Sequence, residues 1–234
     1  MHSRWCLAMK TSFFRRWIAA CAVGELIGIG VATVAALALS SLTGEPQTLA
    51  ARLGVLTAFA GVGAIEGGAL AYLQWRVLRG RLPQLPAGEW TGATIAIAVA
   101  GWIAGMAPSL FVAQPSVPPV DPGLAVIMTL AAGAGGAAGL CFGAAQWLVL
   151  RRYSAHAARW IWIHLPAWAL AMSAIFLGAS VPDADWAPWT IMLAGLTGGI
   201  LGGVLLGAVT GLVACRLRPK DDAEAQSHIA GRAA

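Results

Sequence analysis

The sequence predicts an all-α fold, a six-span transmembrane helix bundle built from three parallel two-helix repeats with pseudo-threefold symmetry. Three observations support this prediction. Of the 234 residues, 59% are hydrophobic and only 11% are charged, whereas a soluble domain has about 25% charged residues. The charges leave long apolar stretches between them. A pattern with a small residue at every fourth position also occurs three times along the chain.

Six apolar stretches are each longer than the roughly 20 residues that a membrane-spanning helix needs. Four of them contain no charged residue, and the first two contain one glutamate each, Glu25 and Glu66. The alternation typical of β-barrel strands, over about 10 residues per strand, is missing from the sequence. The predicted spans are 17–44, 53–75, 90–120, 122–150, 160–182 and 186–215.

Each repeat begins with a tryptophan, crosses the membrane, returns and ends in arginines. The units are 16–81, 89–152 and 159–218, with a cytoplasmic N-terminal segment 1–15 before them and a disordered cytoplasmic tail 219–234 after them. Tryptophan is enriched at membrane interfaces because its ring is apolar and its N–H is polar. The predicted interface anchors are Trp17, Trp75, Trp90, Trp147 and Trp160.

Small residues at every fourth position let helix backbones approach closely, which drives helix association in lipid. We expect the even-numbered helices to pack on these faces in the middle of the bundle. A second interpretation is that the face of the sixth span docks another membrane protein or a second copy of the chain. The predicted helix-packing glycines are Gly63, Gly67, Gly135, Gly139, Gly143, Gly199, Gly203, Gly207 and Gly211.

The net charge of +5 is a signal of topology and not of nucleic-acid binding. In the six-span arrangement, every Lys and Arg residue except Arg52 falls on one side of the membrane. Because basic residues concentrate in cytoplasmic loops, both termini are predicted to be cytoplasmic. The expected location is the bacterial inner (plasma) membrane, with the lipid bilayer as the main partner.

Two segments of the form Gln-Trp-x-Val/Leu-Leu-Arg, 74–79 and 146–151, stand at matching places in the first two units. With these segments, and with 105–109 and 207–211, the stretch 14–218 resembles an uncharacterised family of bacterial polytopic membrane proteins. The resemblance implies a multi-span architecture. It implies no activity, ligand or functional residue.

Glu25 and Glu66 are the first candidates for a functional site, because ionisable residues inside a membrane span are costly. They lie about 12 Å and about 15 Å deep at a rise of about 1.5 Å per residue, on adjacent helices of one unit. Two nearby carboxylates do not both ionise cheaply, so one would hold a proton or both would hold a cation. The alternatives are that each is protonated and hydrogen-bonded, or that they bind a partner or pigment. The equivalents in the other units carry no charge: Ala98 and Trp168 for Glu25, Ala138 and Gly202 for Glu66.

Gln74, Gln146 and Thr210 occupy equivalent positions about one turn inside the cytoplasmic face. One interpretation is a polar ring at a cytoplasmic mouth, and the other is hydrogen bonding at helix ends or between helices. His164 suits either a metal or chlorin ligand or a hydrogen-bonded interfacial histidine, and the sequence offers no second ligand. We predict no metal site, and the cofactor is unknown.

Known enzyme motifs do not occur in the sequence, and we predict a protein without enzymatic activity. Two functional classes stay open. The first is a non-catalytic membrane subunit or accessory scaffold that packs through its glycine-rich helix faces. The second is a small transporter or channel in which Glu25 and Glu66 act on a proton, a cation or a small solute. The scarcity of polar groups within the spans favours the first class.

Overall fold

The computed structural model describes residues 2–43, 46–112, 122–155, 157–182 and 185–221. Within these residues the secondary structure is six α-helices and one isolated bridge between Ser154 and Pro219. All six helices are long and apolar enough to cross a membrane, which confirms the predicted all-α, six-span fold class. The helices are α1 (His2–Thr43), α2 (Leu49–Leu78), α3 (Ala87–Phe111), α4 (Leu124–Leu150), α5 (Arg159–Ser180) and α6 (Pro188–Ala214).

Helix α1 begins earlier than the predicted first span. It contains 42 residues, which corresponds to about 63 Å at about 1.5 Å per residue and is about twice the thickness of a hydrocarbon core. Residues 2–15 are therefore helical and continuous with the span. At the other end of the chain, the N–H of Lys220 donates to the carbonyl of Tyr153 at 3.2 Å. The rest of the predicted tail, 222–234, lies outside the described residues.

The helices form a closed ring in chain order, in which each helix packs against the next and α6 packs against α1. Neighbouring helices run antiparallel, as shown by Gly24 lying against Leu70 and Gly28 against Glu66 in the α1–α2 pair. The expected packing of even-numbered helices against one another in the middle does not occur. Each of them packs between two odd-numbered helices, because its glycine face is covered by the odd-numbered helix that follows it in the ring.

The antiparallel order brings the beginning of α1, the end of α6 and the α2–α3 and α4–α5 loops to one end of the bundle. We call it the arginine-rich end, since it carries Arg76, Arg79, Arg151 and Arg152. Side chains from different hairpins meet there. The guanidinium of Arg81, in the α2–α3 loop, donates to the carbonyl of Cys215 at 2.7 Å.

The predicted helix-packing glycines all meet a neighbouring helix of the same chain. A Cβ atom on any of them would lie less than 3.0 Å from an atom of that helix, so the backbones approach as closely as small residues allow. The glycines of α2 face α3, those of α4 face α5, and those of α6 face α1. The α6 face predicted as a docking surface is therefore covered by α1.

The two halves of the bundle are packed differently. Nearly all of the largest fully buried side chains lie in the half next to the arginine-rich end, among them Trp17, Trp90 and Trp160. In the opposite half the buried apolar cluster consists of Val55, Phe59 and Val62, with partly buried neighbours on α1 and α3. The arginine-rich half is thus the more tightly packed part of the fold.

The α3–α4 contact is the smallest of the six in the ring. Two exposed glycines of α3, Gly101 and Gly105, have no described atom of another helix within 4 Å of a Cβ position. This second hairpin is therefore less tightly closed than the first and the third. The pseudo-threefold repeat remains a prediction from the sequence.

Candidate functional site

Glu25 lies on the most buried stripe of α1, which also contains Trp17, Cys21 and Gly28. Its residue exposure is 0%. Neither carboxyl oxygen has a hydrogen-bond partner among the described residues. Burying a carboxyl group without a partner is costly, so an unpartnered glutamate in the interior requires an explanation beyond packing.

Glu66 lies beside Glu25 on the neighbouring helix. Its side chain packs on the backbone of Gly28, which is three residues after Glu25 on α1. The two glutamates therefore differ in height by about 4.5 Å, or three residues of helix rise. The structure thus brings the two predicted site residues together.

The close approach of α1 and α2 depends on two small residues of α1. A Cβ atom at Gly24 would lie 2.8 Å from the Cα of Leu70. One turn later, Gly28 provides the space that the Glu66 side chain occupies. A larger residue at either position would force the helices apart and separate the carboxyl groups.

Trp102 of α3 is the polar partner of Glu66. Its indole N–H donates to Oε2 of Glu66, and its ring stacks on Phe59 with centroids 5.4 Å apart. The sequence analysis missed this residue. The available signal was its spacing, since Trp102 lies one turn after Ala98, the position that matches Glu25 in the second unit.

Gln74 connects the carboxyl pair to the region nearer the arginine-rich end. Its amide nitrogen lies 3.5 Å from Sγ of Cys21, and Cys21 is one turn before Glu25 on α1. The Oε1 atom of Gln74 is buried, and no described residue donates a hydrogen bond to it. The predicted polar residues Gln74, Gln146 and Thr210 are each at most 2% exposed.

Trp17, Trp90 and Trp160 form a cluster inside the bundle, which we call the tryptophan cluster. The ring of Trp160 meets Trp17 at 5.8 Å and Trp90 at 6.0 Å between centroids, edge-on in both cases. All three residues are 0% exposed. The sequence analysis placed these rings at the lipid headgroups. They point inward, and neighbouring helices offer hydrogen-bond acceptors to the indole N–H groups of Trp17 and Trp160.

Two of the three indoles bond the predicted polar residues. Trp17 Nε1 donates to Oγ1 of Thr210 at 2.9 Å, and Trp160 Nε1 donates to Oε1 of Gln146 at 2.8 Å. The amide nitrogen of Gln146 donates in turn to Oγ1 of Thr94 at 3.0 Å. The first two contacts join helices of different hairpins, and the third joins the two helices of the second hairpin, so these polar groups act between helices.

Trp75 and Trp147, the other two predicted anchors, are partly exposed near the arginine-rich end. The guanidinium of Arg79 lies 5.3 Å from the centre of the Trp75 ring, and that of Arg151 lies 5.1 Å from the Trp147 ring. Stacked cation–aromatic pairs of this kind fit the headgroup level of a membrane, where the ring is apolar on one side and the charge is hydrated.

His164 is buried in α5, and its Nδ1 lies 2.8 Å from the carbonyl oxygen of Trp160. In the part of the chain that the structure describes, no group of three His, Cys, Asp or Glu residues could hold a metal ion.

Comparison of the chain with models of known protein families, with curated proteins and with solved structures finds no match. The resemblance to bacterial membrane proteins with repeated Gln-Trp segments therefore stays a prediction from those segments.

Proposed function

We propose that this protein binds and moves a proton or a small cation across the bacterial inner membrane, with Glu25 and Glu66 as the binding site. The observation that carries the proposal is the carboxyl group of Glu25, which is 0% exposed and has no hydrogen-bond partner among the described residues. A purely structural glutamate at this depth would be expected to have a donor, because buried polar groups are nearly always hydrogen-bonded.

The surroundings of the pair favour a mobile positive charge as its partner. The nearest basic residues on the two helices, Arg16 and Arg76, lie nine and ten residues away from Glu25 and Glu66. This corresponds to about 14 Å and 15 Å of helix rise. Because two adjacent carboxylates repel each other, the pair needs either a shared proton or a bound cation.

The position of Glu66 supports exchange from the end opposite the arginines. Glu66 is partly exposed, although it lies on the same face of α2 as the buried residues Phe59, Val62 and Leu70. We infer that its accessible surface opens towards the less tightly packed half. A proton or cation would reach Glu66 first and Glu25 second.

The alternative, a non-catalytic membrane subunit or scaffold, loses its main support because the glycine faces of α2, α4 and α6 are covered within the chain. One observation still favours it. Gly101 and Gly105 form an uncovered small-residue face on α3. If this face binds a partner helix, Gly101→Leu should abolish that association and leave ion flux unchanged.

Flux measurements in liposomes test the proposed function. The purified protein is reconstituted, a pH or cation gradient is imposed, and the internal ion concentration is followed with a fluorescent dye. We expect flux above that of empty liposomes, and its loss in Glu25→Gln and in Glu66→Gln. The flux of the double variant should be no lower than that of either single variant, because coupled sites act as a unit.

The control is Glu89→Gln, which removes a carboxylate at the arginine-rich end, far from the pair. It should conduct like the unmodified protein. Labelling with dicyclohexylcarbodiimide, an apolar reagent that attacks protonated carboxyl groups, provides a readout that does not depend on flux. We expect this reagent to modify Glu25. If the protein binds a cation, adding that cation should slow the modification. Flux equal to that of empty liposomes, or full flux in Glu25→Gln, would contradict the proposal.

A further inference from the structure

The tryptophan cluster lies between the carboxyl pair and the arginine-rich end. On α1, Trp17 precedes Glu25 by eight residues, and on α2, Gln74 follows Glu66 by eight residues. Eight residues correspond to about 12 Å along a helix. Since the Trp160 ring contacts the other two rings and all three residues have 0% exposure, we infer that they close the interior at this level.

The cluster is held by three helix–helix contacts of the same geometry, which we call joints. Each joint lies between an even-numbered helix and the next odd-numbered helix in the ring. In each joint, a glycine of the even-numbered helix lies against a backbone carbonyl of the odd-numbered one. The polar residue follows that glycine by seven positions, and the tryptophan precedes that carbonyl by four. The three contacts are Gly67 with Thr94, Gly139 with His164 and Gly203 with Cys21.

Two joints are closed by a hydrogen bond from the indole and one is not. In the α6–α1 and α4–α5 joints the bonds measure 2.9 Å and 2.8 Å. In the α2–α3 joint the corresponding residues are Gln74 and Trp90. Both Oε1 of Gln74 and Nε1 of Trp90 are buried, and neither bonds to any described residue. The Gln74 amide nitrogen instead contacts Sγ of Cys21 at 3.5 Å.

We propose that the tryptophan cluster is the barrier between the carboxyl pair and the cytoplasm, and that this barrier opens at the joint of Gln74 and Trp90. The proposal rests on the proposed function. An unpaired buried donor and an unpaired buried acceptor each cost free energy. The α2–α3 joint therefore gains hydrogen bonds when it rearranges or admits water, whereas each of the other two joints must break one.

Gln74 is also the residue through which the carboxyl pair can act on this joint. Its amide nitrogen contacts Cys21, and Cys21 lies one turn before Glu25 on the same buried stripe of α1. A change of charge at Glu25 therefore reaches the Gln74 side chain through one intermediate residue. Turning the amide from Cys21 to Trp90 links binding at the pair to the state of the barrier.

A matched pair of substitutions tests the inference. Gln74→Leu and Gln146→Leu make the same chemical change at equivalent positions of two joints. Gln74→Leu removes the polar group where the barrier opens, and its main hydrogen-bonding loss is the contact with Cys21. Gln146→Leu breaks the bonds with Trp160 and Thr94. We measure flux per folded protein in liposomes, thermal unfolding in detergent, and carbodiimide labelling of Glu25.

We expect Gln74→Leu to lose flux to the level of empty liposomes while its melting temperature and its Glu25 labelling stay unchanged. Gln146→Leu should melt at a lower temperature and retain flux. The inference is overturned if Gln74→Leu conducts like the unmodified protein, or if the two variants lose flux to the same extent. In those cases the carboxyl pair would still stand as the binding site, provided that Glu25→Gln abolishes flux. A lack of flux in the unmodified protein would overturn both proposals.

Discussion

The arginine-rich half of the bundle and the opposite half differ in packing, although all six helices that run through both are apolar enough to span a membrane. In the first, three tryptophans and several leucines are fully buried, and helices cross at glycines. In the second, the large apolar side chains are mostly exposed, as Leu130, Trp189 and Leu193 show. The difference teaches that hydrophobicity alone does not close a helix bundle in lipid. Backbone contact at small residues and hydrogen bonds between helices do so.

The functional consequence follows from where the two halves meet. Glu25 lies at the boundary between the less tightly packed half and the arginine-rich half. Under the proposed function, a closed half on one side of the carboxyl pair and an accessible half on the other would correspond to one state of a protein that exposes its site to one side at a time. The side of the membrane from which the carboxyl pair is accessible therefore depends on which half of the bundle faces the cytoplasm.

Labelling of introduced cysteines from outside the cell has the largest expected effect, because its outcome is all or none. In a variant without native cysteines, Cys at Gln47 should react with an impermeant maleimide and Cys at Gln84 should not. Both positions are exposed and lie at opposite ends of the bundle. The opposite labelling pattern would reverse the assignment of the two halves.

Gly203→Leu should have the largest effect on stability. A Cβ atom at this position would lie 2.5 Å from the Cα of Ala22 on α1, so the larger side chain must separate α6 from α1. We expect a loss of about 3 kcal/mol in the free energy of unfolding. Thermal unfolding in mild detergent, followed by circular dichroism, measures it.

Gly195→Leu is the matched control on the same helix in the less tightly packed half. No described atom of another helix lies within 4 Å of its Cβ position. We expect a change below about 0.5 kcal/mol, as at an uncontacted surface site. Equal sensitivity at both glycines would show that the two halves are packed alike.

The sequence predicted the architecture well because membrane helices leave strong signals. Span length, the segregation of basic residues and the small-residue repeat all reflect the lipid environment. The pairing of Glu25 with Glu66 was also accessible, since both depths can be counted from the ends of adjacent spans. What the sequence did not define is the direction in which side chains point around each helix.

The tryptophans illustrate this limit. Trp17, Trp90 and Trp160 lie at the ends of their spans, where either the headgroups or a neighbouring helix can accept a hydrogen bond from the indole N–H. The sequence contains both the tryptophans and their acceptors at equivalent positions, but their pairing depends on the order of helices around the ring. Because the even-numbered helices were expected to meet in the middle, the sequence analysis did not find which tryptophan bonds which acceptor.

Trp160→Phe should have an intermediate effect. It leaves Oε1 of Gln146 buried without the indole that donates to it at 2.8 Å, which should cost about 2 kcal/mol. Trp90→Phe makes the same change where the N–H has no described partner, and we expect less than about 1 kcal/mol. Detergent unfolding curves compare the two. A larger loss for Trp90→Phe would mean that the α2–α3 joint is hydrogen-bonded after all.

Arg152→Ala should have the smallest effect, although it removes the shortest ion pair between described side chains. The guanidinium lies 2.7 Å from Oε2 of Glu89, but the two side chains are 52% and 38% exposed. Exposed ion pairs contribute little because water screens them and ordering two long side chains costs entropy. Glu89 also keeps the hydroxyl of Tyr153 as a donor at 3.2 Å. We expect a loss of about 0.5 kcal/mol or less, which should shrink further in high salt. A loss comparable to that of Trp160→Phe would contradict the view that the stability of this half comes from its buried contacts.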